Sequence, residues 1–327
     1  MIPFSVLDLA PIIEGGDAAL AFRNALDLAR HAERLGYNRF WMAEHHSMPG
    51  IASAATSVAL AFVGEGTETI RIGAGGIMLP NHAPLQIAEQ FGTLESLFPG
   101  RIDLGLGRAP GTDQAAAYAL RRNLHADVNQ FPRDVVELMS YLQPDEPGRV
   151  RAIPGEGLDI PIWILGSSLF GAQLAAHLGL PYAFASHFAP AQMMDAIHVY
   201  RTNFQPSAQL EKPHVMLGYN VFAADTDGEA ELLATSMMQA FVALRTGTPG
   251  RLKPPVPGYY ESLFPNQRAM LDSVLSCSAI GGPAKVKAAM ESFVAETGAD
   301  ELMLTCQMFD HQARLRSFEI AAALISG

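Results

Sequence analysis

The chain has 327 residues, 49% of them hydrophobic, and its 22 Lys and Arg against 33 Asp and Glu leave a net charge of −11. That apolar fraction supplies a large core and excludes a disordered chain, and an acidic protein without a basic cluster is a poor partner for nucleic acid or an anionic membrane. Two cysteines, Cys277 and Cys306, with no CxxC pair, argue against a disulfide framework or a structural zinc site.

Short apolar runs alternate with amphipathic stretches along the whole length. Ile2–Leu7 predicts the first strand. Asp17 caps a helix on which Phe22, Leu26 and Ala29 share one face, and Gly36 stops it. Arg39–Ala43 predicts a strand, 53–63 a helix, Ile70–Ile77 a strand, and 84–98 a helix ended by Pro99-Gly100. Ile102–Leu106 is the fourth strand, followed by a helix over 133–143, a strand over Ile160–Leu165 and a helix over 168–178. Then come a strand over Tyr182–Ala185, a helix over 190–203, a strand over Val215–Ala223, helices over 227–244 and 283–297, a strand over Glu301–Leu304 and a closing helix over 310–325. Eight strand–helix units in this order predict an α/β fold, a parallel sheet closed into a (β/α)8 TIM barrel. Residues 1–327 read as one domain, with insertions over about 108–131 and about 246–277 that read as loops, the second a candidate lid. The opening MIPFSVLDLAP lacks the basic segment of a signal peptide, and the longest apolar run, 52–63, is too short to span a bilayer. A soluble cytoplasmic protein is expected.

Barrel chemistry sits at the C-terminal ends of the strands, which selects Glu44-His45-His46, Gly75-Gly76, Gly107-Arg108, Gly166-Ser167-Ser168 and Ser186-His187. Gly166-Ser167-Ser168 precedes a helix, where free N–H groups and the dipole suit an anion, and where a plain N-cap is the alternative. Arg108 leaves the neighbouring strand and would complete a phosphate clamp; alone it reads equally as a surface residue. Gly75-Gly76 inside an apolar strand reads as a bulge, as a floor for a flat ligand, or as a cis peptide. Of the two imidazoles after Glu44, one is expected to face the pocket, because neighbours on an extended chain point opposite ways. Zinc on Glu44, one of these histidines, His82 and His187 is a competing reading, disfavoured because no HExxH spacing supports it, so no metal is expected.

Together these segments resemble the bacterial-luciferase-like, alkanal-monooxygenase-like flavin-dependent oxidoreductases. The resemblance spans essentially the whole chain. It rests on Phe40-Trp41-Met42-Ala43-Glu44-His45-His46, on the run Ile72 to Pro80, on Pro99 to Arg108, on Leu165-Gly166-Ser167-Ser168 and on the tail Phe309 to Glu319. It implies FMN, used as FMNH2 delivered by a separate flavin reductase, with O2 as co-substrate. It implies a cis peptide between Gly75 and Gly76 against the isoalloxazine ring, Arg108 and Gly166 to Ser168 on the ribityl phosphate, Leu165, Ser186 and Glu44 among the flavin-binding residues, and His45 as the catalytic histidine. The expected reaction is monooxygenation of a small apolar organic substrate through a flavin C4a-hydroperoxide, in a homodimer. Gly107 stands where luciferase α-type subunits carry a reactive cysteine, which speaks against light emission. The rival readings are a non-catalytic flavin-binding or structural subunit, an F420-dependent oxidoreductase and, weakest, a flavin-free barrel aldolase or isomerase.

Overall fold

A computed structural model describes residues 2–109, 114–120, 130–144 and 150–323. Its strands are β1 (Phe4–Asp8), β2 (Arg39–Met42), β3 (Arg71–Met78), β4 (Ile102–Gly107), β5 (Ile162–Gly166), β6 (Tyr182–Phe184), β7 (Val215–Ala223), β8 (Ser278–Gly281) and β9 (Glu301–Thr305). The helices are α1 (Ala18–Arg34), α2 (Thr56–Glu65), α3 (Pro84–Leu97), α4 (Gln114–Leu120), α5 (Phe131–Tyr141), α6 (Leu169–Leu178), α7 (Met193–Asn203), α8 (Asp227–Arg245), α9 (Tyr259–Ser262), α10 (Pro265–Val274), α11 (Pro283–Thr297) and α12 (His311–Ala322). Strands β1 to β7 pair parallel with their sequence neighbours, β9 lies between β7 and β1, and the ring closes through β6–β7. This is a closed eight-stranded parallel barrel ringed by helices. Among the described residues, no helix is long and apolar enough to cross a membrane.

The predicted helix start at Asp17 has its physical cause in view: the Asp17 carboxylate accepts the Leu20 N–H at 2.7 Å. Gly36, with φ of 79°, follows the last turn in the left-handed region that glycine enters freely.

Two readings of the sequence change. The second insertion is not a plain loop, for it contains α9 and α10, and Gln267 reaches back to accept the Phe264 N–H at 3.1 Å at the start of α10. A ninth strand, β8, follows them, too short and mixed to show as an apolar run. It pairs with the C-terminal half of β7. The Tyr182 N–H donates to His214 O and the Asn220 N–H to Cys277 O. His214 and Asn220 are six residues apart along one strand, so these bonds leave the same edge, and β8 extends the wall where three-residue β6 runs out. The first insertion contains α4, and residues 110–113 and 121–129 of it lie outside the described residues.

The barrel interior is layered. Leu7, Trp41, Ala43, Trp163, Ala183, Met216 and Met303 fill its middle, with Leu9 and Leu165 packed against them. Below them, at the N-terminal ends of the strands, Arg39 bridges Asp103 at 2.7 Å and Glu301 at 3.1 Å. The same guanidinium lies 4.9 Å from the Trp163 ring centre. Arg71 holds the second Asp103 oxygen at 2.7 Å. Buried carboxylates are tolerable there because each is paired and hydrogen-bonded. A plugged middle and a charged base leave the C-terminal mouth as the open end for a ligand.

Candidate active site at the barrel mouth

Strand register puts the predicted residues side by side. Gly107 of β4 pairs with Met78 of β3 and Leu165 of β5, and Leu165 pairs with Ala183 of β6. Neighbouring strands lie about 4.8 Å apart, so Arg108 and Gly166, each one residue further on, are adjacent at the rim. The Arg108 guanidinium lies over the Phe170 ring, 4.3 Å from its centre. Phe170 is the second residue of α6, so a sequence-distant cation is held beside that helix's N-terminus. Ser168 is the N-cap, in extended conformation, and its side chain makes no cap bond. Ser167 and Ser168 are exposed, and among the described residues neither hydroxyl is hydrogen-bonded. Free N–H groups of the first turn, two unspent hydroxyls and one guanidinium make an anion site.

Beside it the peptide bond between Gly75 and Gly76 is cis, at the point where the β3–β4 register shifts. Neither glycine has room for a side chain. A Cβ on Gly75 would stand 2.8 Å from Leu7 Cδ1 and 3.0 Å from Trp41 Cε3; one on Gly76 would stand 2.8 Å from the Gly105 oxygen and 3.2 Å from Leu165 Cδ2. The diglycine therefore rests directly on the apolar plug, with Leu165 along its edge. No side chain of its own covers it.

Ser186 is fully buried and its hydroxyl donates to Gly218 O at 2.7 Å, tying β6 to β7. Its proton is spent on the fold, leaving only lone pairs for a neighbour.

Next to it, His187 packs against Gly218 at the position a Cβ would take, with Cε1 3.0 Å from that point. Among the described residues its Nδ1 is buried without a hydrogen-bond partner. Burial, helped by the charge of His45, lowers its pKa to about 4. β2 stands across the barrel from β6, and the charge of His45 acts on His187 from that side. On β2 the odd residues Arg39 and Trp41 point inward, and Ala43 just after the strand packs with the same inner cluster. Asn220, on β7, donates to His187 O at 2.9 Å and to the Ser278 hydroxyl at 3.2 Å, clasping the end of β6 to β8.

Glu44 and His46 take the other side. The Glu44 carboxylate, 1% exposed, has one oxygen 2.7 Å from His46 Nε2 and 2.8 Å from His82 Nε2, while the other accepts the Met78 N–H at 3.0 Å. Burial by itself would raise the Glu44 pKa, but the bonds and charge of His82, with those of His46 and Met78, hold it below the usual carboxylate range. Glu44 thus braces β3 two residues beyond the diglycine. Of the histidines that the sequence offered for a metal, His46 and His82 converge on Glu44, and His187 lies with the β6–β7 wall.

Sequence reasoning missed Phe170, Asn220 and the packing of His187 on Gly218. Phe170 follows two helix-opening serines, which is a signal in hindsight only for an aromatic under a nearby cation. Gly218 inside an apolar strand was a signal for close approach.

A family model described as luciferase-like monooxygenase matches residues 2–301. The chain is 56% identical over 321 residues to a luciferase-like monooxygenase of Escherichia coli K12, covering 98% of this chain and 96% of that protein. It is 36% identical over 254 residues to the N-acetyl-S-alkylcysteine monooxygenase of Bacillus subtilis 168, covering 76% and 75%. Among solved structures, apo-MsnO8 superposes with a TM-score of 0.88 at 32% identity over 100% of this chain and 99% of its own. Two more distant structures share the fold. One is the oxygenating constituent of 3,6-diketocamphane monooxygenase from a Pseudomonas putida plasmid, in complex with FMN, with a TM-score of 0.72 at 18% identity over 98% of this chain and 96% of that one. The other is an F420-dependent secondary alcohol dehydrogenase, with a TM-score of 0.68 at 14% identity over 97% of each chain. The chain belongs to the luciferase-like monooxygenase family.

Proposed function

We propose that this protein is a flavin-dependent monooxygenase that takes FMN in its reduced form and oxygenates a small apolar organic substrate. The observation that carries the reading is the corner where Arg108, stacked on Phe170, meets the N-terminus of α6 and the unspent hydroxyls of Ser167 and Ser168. It fits a dianionic phosphate in a protein whose net charge would otherwise repel one. The bare Gly75-Gly76 backbone beside it fits a flat ring, and Leu7, Leu9, Trp41 and Leu165 supply apolar surroundings.

Bound there, reduced FMN would supply the activation of O2 and the transfer of an oxygen atom. The chain's own part is positional. Arg108 and the α6 N-terminus hold the phosphate end, and the diglycine and Leu165 support the ring plane. Glu44 keeps β3 in place through the Met78 N–H. The apolar walls exclude water, which strengthens every polar contact inside. His45, facing the mouth, holds or passes a proton at the reacting atom, while His187 stays neutral beside it. A separate reductase supplying the flavin and a homodimer are parts of the same proposal.

The test is an anaerobic titration with FMNH2, FMN and F420, followed by oxygen uptake with an NADH-driven flavin reductase and a panel of ketones, aldehydes and thioethers. Sedimentation of the same sample gives the assembly mass. We expect FMNH2 to bind best and uptake to depend on an organic substrate. F420 binding without FMNH2 binding would replace this reading with a hydride-transfer enzyme. Flavin binding without any turnover would replace it with the non-catalytic subunit.

A further inference from the structure

We propose that Glu44, His46 and His82 form a binding site for one divalent ion of the zinc class, outside the flavin corner. Three donor atoms, Glu44 Oε1 and the Nε2 atoms of His46 and His82, all lie within 4.8 Å of one another. Two nitrogens and one carboxylate oxygen suit borderline ions such as Zn2+ and Co2+. The imidazole–oxygen separations are 2.7 and 2.8 Å. An ion at about 2.1 Å from each donor needs them to part by roughly 0.6 Å, a movement that partly exposed rings can make.

Three features of the cluster point to a cation rather than to a closed hydrogen-bond knot. The Glu44 carboxylate is 1% exposed, yet among the described residues no Lys or Arg pairs with it. Its far oxygen is fixed by the Met78 N–H, the kind of outer contact that orients a ligating carboxylate. The His46 and His82 side chains are 16% and 24% exposed, so the cluster opens to solvent for an ion to enter and for water to complete its coordination. His46 and Glu44 come from the end of β2 and His82 from the turn after β3. A bound ion would therefore cross-link two strand ends at the mouth.

The experiment uses the flavin-free full-length protein, so its outcome is independent of the flavin reading. Zn2+ binding is measured at pH 7.5 by equilibrium dialysis with metal analysis, and Co2+ binding by its visible absorption. Wild type is compared with His82→Ala, His46→Ala and Glu44→Gln, and with His177→Ala, which removes an exposed histidine on α6. Circular dichroism confirms that each variant folds. We expect one Zn2+ per chain, a Co2+ spectrum of low coordination number, and both unchanged in His177→Ala. Each folded cluster variant should lose at least the roughly 10–100-fold in affinity that follows removal of an outer-shell partner. Failure of wild type to retain Zn2+, or equal binding by wild type, His82→Ala and His46→Ala, would overturn the proposal. Should one variant fail to fold, the other two carry the same comparison.

Discussion

Replacing Arg108 with Ala should separate the phosphate of FMN from the rest of the molecule. The guanidinium is exposed and lies on Phe170 at the start of α6. A charge-assisted hydrogen bond contributes about 1.5–3 kcal/mol, and exposure places this one at the low end. That corresponds to roughly tenfold weaker FMN binding, since about 1.4 kcal/mol is one decade. Riboflavin has the same ring and no phosphate, so its affinity should change less than about twofold, the remaining contacts being uniform. Phe170→Leu removes only the platform. An exposed cation–π contact of about 0.5–1 kcal/mol predicts a two- to fivefold loss for FMN alone. Raising salt from about 0.1 to 1 M shortens the screening length from about 10 to 3 Å, and should shrink the difference between wild type and Arg108→Ala. The assay is quenching of flavin fluorescence, with FMN and riboflavin run in parallel. If both ligands weaken equally in Arg108→Ala, the guanidinium does not hold the phosphate, and the corner argument fails.

Two further outcomes follow from the mouth. The pKa of His187 is lowered to about 4 by burial and by His45. Between pH 4 and about 6.5 the unfolded chain binds a proton that the folded chain refuses, so stability rises with pH across that window. The contribution is complete above about 6.5 and is lost as pH falls to 4, on the order of 3 kcal/mol. Urea unfolding of wild type and His187→Gln at a series of pH values should show a flatter slope in the variant; parallel slopes would mean that the ring is not desolvated. At β4, a Cβ on Gly105 would strike the Ala74 carbonyl and stand 2.6 Å from Leu165 Cδ1, whereas one on Gly107 meets first the flexible Met78 side chain, at 3.2 Å from Sδ. Gly105→Ala should cost about 1–3 kcal/mol or more, and Gly107→Ala less than about 1; thermal melts showing the reverse order would refute the packing.

The mouth was legible because strand ends carry polar residues after apolar runs. Arg108 and Ser167-Ser168 stand out against their neighbours, and a barrel with β4 next to β5 brings them together. Gly75-Gly76 stood out by the same contrast. The strand count was less legible: β8 has four residues and pairs only where β6 has ended, so no local pattern announces it. The helices of the second insertion were hidden by the prolines before them.

Periodicity and punctuation along the chain were sufficient for the barrel and its order, because each strand–helix unit buries its own apolar face and right-handed crossovers leave few alternatives. They could not say which side chains would meet. Arg108 finds Phe170, and Glu44 gathers His82 and Met78, only when segments far apart in sequence are brought into register. Such contacts depend on Cβ directions and on the absence of a Cβ at Gly75, Gly76 and Gly218. Those are properties of the closed packing, in which every atom's place is set by neighbours from other strands.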